Sequence, residues 1–188
     1  MSVCKLLSRI VTPESVDYET MEVTKQAEED LHSYTYGITS DPIAQFACTL
    51  AALIHDTDHT GVPNVQLCKE NAELAEYYKN KSVAEQNSID LAWELLMEPQ
   101  YSELRSCIYT TNEELTRFRQ LLVNAVMATD IADRELGSLR KTRWVKAFNT
   151  SSTSPDQQHD EQTIREDNNR KATIVIEHLI QASDVSHT

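Results

Sequence analysis

Glycine is nearly missing, with three residues among 188. A turn-rich β fold leans on glycine, so its scarcity excludes most sandwiches and small barrels. The four cysteines, Cys4, Cys48, Cys68 and Cys107, form no CxxC pair, which argues against a zinc ribbon or a dense disulfide framework. Cys48 and Cys107 lie in apolar or mixed helical surroundings and are expected as buried thiols. No apolar run approaches membrane-spanning length, and the start MSVCKLLSRI lacks a secretory h-region. Basic residues are also few, 17 Lys and Arg against 30 Asp and Glu, for a net charge of −13. Such a surface repels nucleic acid phosphates and anionic lipid, because binding either depends on cations displacing counterions. It does not repel a small anion if divalent cations sit in the site and reverse the local field. No nucleic acid partner is expected. The setting is expected to be intracellular and cytoplasmic, either alone or within a larger membrane-attached protein.

What is present is helical periodicity. Hydrophobic residues make up 40% and charged residues 25% of the chain, a soluble globular profile. Val3, Leu6, Leu7 and Ile10 share one face of an opening helix. Residues 12–40 are acidic and weakly periodic, and are expected to be a loop carrying an exposed His32. Asp41-Pro42 then reads as an N-cap followed by a first helical residue. Ile43, Phe46, Ala47, Leu50, Ala51 and Ile54 follow at i, i+3, i+4 steps, and the helix delivers His55 and Asp56 at its end. Further helices are predicted over 65–78, 82–96, 112–133, 138–148 and 164–183, with a polar loop over 150–162. The helix from Asn112 opens with the capping box Thr111-x-x-Glu114. The fold class is all-α, in one domain.

The chemistry concentrates in His55-Asp-Thr-Asp-His-Thr-Gly61. Imidazole suits zinc or iron, while a neighbouring carboxylate can reach a harder Mg²⁺ or Mn²⁺. A helix C-terminus disfavours anions, so Asp56 and Asp58 at such an end call for a cation. Ile176, Ile180 and Asp184 align at i+4 steps on the last helix, so a second helix end offers a carboxylate. The plain alternative is a chance His-Asp dipeptide at a helix end.

Four segments weigh against that alternative: H-D-T-D-H-T-G-V-P-N from His55, S-V-A-E-Q-N from Ser82, A-T-D from Ala128 and A-S-D-V-S-H from Ala182. Their order and spacing resemble the class I 3′,5′-cyclic-nucleotide phosphodiesterase catalytic domain, over most of residues 43–188. The resemblance implies a compact multi-helix, HD-type fold that hydrolyses cAMP and/or cGMP to 5′-monophosphates in signal transduction. It implies His55, Asp56 and Asp184 as metal ligands, with Asp56 bridging Zn²⁺ to Mg²⁺ or Mn²⁺. Glu85 and His59 would bind waters of the second ion, with Thr129 nearby, and a homodimer is one assembly it allows. The family also carries a P-Y-H-N-x-x-H segment, with the general-acid histidine and another zinc ligand, and a later purine-binding Gln and Phe. Residues 1–188 contain neither, so the expectation is a partial catalytic domain, truncated at both ends and weakly active or inactive alone. Asn87-Ser88 and Thr60 also depart from the family pattern. The alternatives are another HD-type metal-dependent phosphohydrolase, or a non-catalytic relic or regulatory helical module.

Overall fold

A computed structural model describes residues 2–11, 21–148 and 161–186, and among these all regular structure is helical. The helices are α1 (Ser2–Val11), α2 (Met21–Tyr34), α3 (Pro42–Ile54), α4 (Asn64–Glu70), α5 (Ala72–Tyr77), α6 (Val83–Met97), α7 (Ser102–Ile108), α8 (Asn112–Met127), α9 (Arg134–Phe148) and α10 (Glu161–Val185). The all-α expectation therefore holds.

α3 starts as its sequence requires. Asp41 Oδ1 accepts the Ala44 N–H at 3.1 Å, and Pro42 stands where no donor is needed. Its buried stripe is Ala44, Ala47, Cys48, Ala51 and Ile54. The periodicity includes Phe46 in that stripe, but Phe46 is 40% exposed. The helix is rotated so that its smallest side chains meet α8, its principal partner. Phe46 instead stacks on Phe118 from the rim, ring centroids 6.0 Å apart. Phe118 has no exposed surface, and Trp93 and Tyr109 also pack on it, each at 6.2 Å. α10 lies across α1, α3, α8 and α9, and buries Ile174, Ile176 and Ile180. On α1, Val3 and Leu7 join the same core, with Leu6 and Ile10 half-buried. A satellite cluster of Leu67, Tyr78, Val83 and Ala84 supports the loop after α3.

Several boundaries differ from expectation, each for a local reason. Residues 21–34, read as loop, form α2; that stretch of 12–40 has too little apolar periodicity to announce itself. Residues 12–20 and 149–160 lie outside the described residues, which covers most of the predicted 150–162 loop. The helix expected over 65–78 breaks at Asn71, which leaves helical geometry and caps α5 by accepting the Leu74 N–H at 3.0 Å. α8 stops at Met127, before the expected 133, because Asp130 Oδ1 accepts the N–H groups of Ala132 and Asp133 and turns the chain. α9 then starts earlier than expected, with Asp133 accepting from the N–H groups of Glu135 and Leu136. Cys107 is exposed, contrary to expectation, on the short and unforeseen α7. Cys48 is buried as expected, and burial pushes its thiol up to about 11. His32 is exposed as expected, and its Nδ1 lies 2.9 Å from Ser40 Oγ.

The capping box on α8 is complete: Thr111 Oγ1 accepts from Glu114 N at 3.1 Å, and Glu114 accepts from the N–H groups of Thr110 and Thr111. These donors hold the Glu114 carboxyl below its ordinary 4.5, the Thr110 N–H most of all. The carboxylate half of the box contributes fully at neutral pH, and that contribution is lost as pH falls through the lowered value. Truncating the central ring is the more severe change. Phe118→Ala is expected to cost about 3–5 kcal/mol in denaturant unfolding. A loss under about 1 kcal/mol would show that the core is not organised on this ring.

Candidate metal centre

α3 and α10 both pack on α8, and their C-terminal ends meet. His55 follows α3 directly and keeps helical geometry, its backbone N–H donating to Ala51 O. The chain then turns tightly, with Thr57 N–H donating to Ile54 O at 2.9 Å and His59 N–H to Asp56 O at 3.0 Å. Asp58 adopts a left-handed φ of 61°, as does Gly61 at 82°. Asp tolerates that region better than most residues, and at Gly61 open space surrounds the missing Cβ, so the backbone angle is what calls for glycine.

The His55 ring is oriented by its backbone. Its Nδ1 lies 3.1 Å from Ala52 O, and a carbonyl can only accept, so Nδ1 carries a proton. In the neutral ring Nε2 is then a bare lone pair. That atom sits 3.2 Å from Asp184 Oδ1 and 3.3 Å from Asp56 Oδ2. The ligand atoms of His55, Asp56 and Asp184 all lie within 4.8 Å of one another. A lone pair facing two carboxylates, at the negative ends of two helices, is favourable only with positive charge between them. One imidazole nitrogen and two carboxylate oxygens match a divalent cation, and the Nδ1–H bond to a carbonyl is the usual support for a ligating histidine. The three residues fit a metal.

The remaining expected residues make contacts of their own, in a second set. His59 is exposed, and its Nδ1 accepts the Gly61 N–H at 3.0 Å, so the neutral ring has its proton on Nε2 as an outward donor. Glu85, in the first turn of α6, accepts from Asn64 Nδ2 at 2.8 Å. No described hydrogen bond joins Glu85 to the His55 group. Burial raises the Glu85 carboxyl above its ordinary 4.5, against the lowering effect of the Asn64 bond and of His59. Thr129 is buried and donates to Val126 O at 2.7 Å.

Sequence reading missed the residues that hold this layer together. Asn87 and Ser88, seen only as departures from a pattern, brace the turn after α3. Asn87 Nδ2 donates to Asp58 Oδ2 at 3.3 Å, and Ser88 Oγ donates to Thr57 O at 2.7 Å. Asn64 and Asp130 sit inside quoted motifs, yet only the fold shows that they touch. Ser183 Oγ, beside Asp184, is buried without a hydrogen-bond partner among the described residues.

A raised carboxyl is a stability statement. The folded state binds the Glu85 proton more tightly than the unfolded chain, so that contribution is full below 4.5 and lost as pH rises through the folded value. Glu85→Gln keeps an acceptor for Asn64 and removes the buried charge. The variant is expected to melt higher than wild type at neutral pH, with the difference fading below 4.5. A lower melting temperature at neutral pH would contradict this account.

Comparison with known proteins identifies the family. The family model described as 3′5′-cyclic nucleotide phosphodiesterase matches residues 21–188. The human high affinity cAMP-specific and IBMX-insensitive 3′,5′-cyclic phosphodiesterase 8A is 30% identical over 158 residues, covering 79% of this chain and 18% of that protein. The probable 3′,5′-cyclic-AMP phosphodiesterase pde-4 of Caenorhabditis elegans is 33% identical over 89 residues, 46% of this chain and 12% of its own length. The chain thus spans less than a fifth of these relatives. Among solved structures, LmjPDEB1 in complex with IBMX superposes with a TM-score of 0.54 at 25% identity, covering 96% of this chain and 50% of that one. The phosphodiesterase domain of the RhoPDE fusion protein from the choanoflagellate Salpingoeca rosetta shares the fold, with a TM-score of 0.57 at 20% identity, covering 97% of this chain and 69% of that one. With the family model matching over all but the first helix, the chain belongs to the 3′,5′-cyclic nucleotide phosphodiesterase family.

Proposed function

We propose that His55, Asp56 and Asp184 hold a divalent cation, and that the chain serves metal-dependent hydrolysis of cAMP and/or cGMP to the 5′-monophosphates. The observation that carries the reading is the His55 lone pair set against two carboxylates from separate helix ends. Zn²⁺ suits the imidazole, and Mg²⁺ or Mn²⁺ suits an oxygen-rich second position reached by Asp56. Such ions polarise a phosphoryl group and lower the pKa of water near 7, which is the chemistry a phosphodiester needs.

The residues of the chain hold and orient. His55 is held in one tautomer by Ala52 O, so its lone pair stays aimed at the cation position. Asp184 is half-buried on α10, whereas Asp56 is exposed, where a second ion can reach it. His59 Nε2–H and the Glu85 carboxylate offer a donor and an acceptor to waters beside that ion. Local positive charge also lets an anionic substrate approach a protein with a net charge of −13. An intracellular, cytoplasmic setting fits the free thiols of Cys4, Cys48, Cys68 and Cys107.

The test uses residues 1–188, as wild type and with His55→Ala or Asp184→Ala. Mn²⁺ titration followed by electron paramagnetic resonance is expected to show a site in wild type that both variants lose. Chromatography is expected to show slow, metal-dependent release of 5′-monophosphate, abolished in both. The rate should be low, since residues 1–188 contain no general-acid motif and such an acid is worth about 10²–10⁴-fold. Equal Mn²⁺ binding by variants and wild type would remove the metal centre. A metal-loaded protein that spares both cyclic nucleotides but cleaves another phosphoester would favour the wider HD-type phosphohydrolases.

A further inference from the structure

Asn64 is the first residue of α4, and its side chain reaches two other parts of the fold. Its Oδ1 accepts the Ala84 N–H at 2.9 Å, in the first turn of α6. Its Nδ2 donates to Glu85 Oε2 at 2.8 Å and lies 3.3 Å from Asp130 Oδ2. Chemistry fixes the amide orientation: a flip would press its oxygen against two carboxylates and its NH₂ against an N–H.

The two carboxylates are not equivalent. Asp130, 5% exposed, has its own anchors, accepting from Ser82 Oγ at 2.7 Å and from the N–H groups of Ala132 and Asp133 at 3.2 and 3.1 Å. It is a fixed post. Glu85 lacks such a set, and Asn64 is the one described side chain that donates to it. Two half-buried or buried anions on one NH₂ group repel each other when that group is removed. Glu85 would then swing away from Asp130 or hold its proton.

We propose that Asn64 is a positioning residue, whose amide holds the Glu85 carboxylate against Asp130 as an aimed acceptor for the water shell of the metal centre. Asn64 is suited to this place because it ends the loop that begins at His55. One side chain thereby ties the ligand-bearing loop, α6 and the turn after α8 together. Asp at this position would add a third carboxylate, and Ala would leave Ala84 N–H and both acids short of a partner. The charged or titratable groups facing Glu85 are Asp130 and His59, and neither can replace the amide donor to Oε2 in the observed geometry.

This inference rests on reading Glu85 as part of the metal centre, and its test separates the two. Two measurements are made on wild type, Asn64→Ala, Asn64→Asp and Tyr78→Phe: a carbon NMR titration of the Glu85 carboxyl without metal, and a Mn²⁺ titration. Tyr78→Phe removes a bond of 2.9 Å to Asp90 elsewhere on α6, and serves as the control for lost stability alone. The Glu85 midpoint is expected to rise in Asn64→Ala and further in Asn64→Asp, with Mn²⁺ affinity falling about 10–100-fold, the usual loss for an outer-sphere partner. Tyr78→Phe is expected to unfold more easily with neither quantity changed. In wild type alone, the Asn64 side-chain amide resonances are expected to move with the same midpoint as Glu85, which settles the contact should the Asn64 variants fail to fold. An unchanged Glu85 midpoint in Asn64→Ala, or wild-type amide resonances blind to that titration, overturns the role given to Asn64. Absence of Mn²⁺ binding by wild type removes the metal reading instead, and the Glu85 titration still decides the role of Asn64.

Discussion

The His55 nitrogen facing two carboxylates is the interaction on which the rest of the structure turns. With the His55 ring neutral, the Nε2 lone pair, Asp56 and Asp184 repel, and the C-termini of α3 and α10 add partial negative charge to the same spot. Nothing local would assemble them. Asp184 is 129 residues from His55 along the chain, so only tertiary packing brings them together. That packing comes from small residues. Ala44, Cys48 and Ala51 let α8 seat closely on α3, and Ile176 and Ile180 press α10 into the same core. Apolar burial thus supplies the free energy that holds an unfavourable polar arrangement in place, as functional sites commonly require.

Around this conflict lies a second polar layer in which the hydrogen bonds are satisfied. Asp130 accepts from Ser82, Asn64 and two backbone amides, and Arg140 donates to the Asp130 carbonyl at 2.9 Å. Its charge is therefore buried at tolerable cost. Ser82 carries a left-handed φ of 39° to present its hydroxyl to Asp130 and not to the α6 terminus it precedes. Such strain in a residue with a Cβ costs of order 1–3 kcal/mol and persists only where its surroundings over-determine it. The contrast between layers is informative. The outer one is closed on itself, and the inner one is left wanting a cation.

The sequence made the skeleton legible because its signals are local. The Asp41-Pro42 start of α3, the Thr111–Glu114 box and the i+4 line of Ile176, Ile180 and Asp184 all depend on neighbours within one or two turns. What escaped depends on context. Phe46 fits the α3 periodicity but yields the core to smaller neighbours, because helix separation, not period, decides which stripe is buried. α2 escaped because a weakly amphipathic acidic segment reads alike as helix or solvated loop. Asn71, Asp130 and Asp133 end or start helices through side-chain bonds that compete with the backbone ladder, and their residue type permits both outcomes. His55, Asp56 and Asp184 were legible as candidate ligands by residue type. The partners of Asn64 were not, since nothing in a linear motif says which acid an amide will meet.

Charge gives the last step. A protein with 30 acidic and 17 basic residues would hold phosphate esters at a distance over most of its surface. The basic side chains Arg117, Arg140 and Arg143 are engaged elsewhere, with Asp41, the carbonyl of Asp130 and Glu177. Under the proposed function, attraction of a cyclic phosphate falls to ions gathered by the acids themselves. The same acidity that disfavours polyanions on electrostatic grounds would then concentrate divalent cations where His55 and Asp184 meet. Binding of substrate and occupancy of the metal site become one linked equilibrium, so selectivity for a small anion over a polyanion follows from where the positive charge sits and how little of it there is.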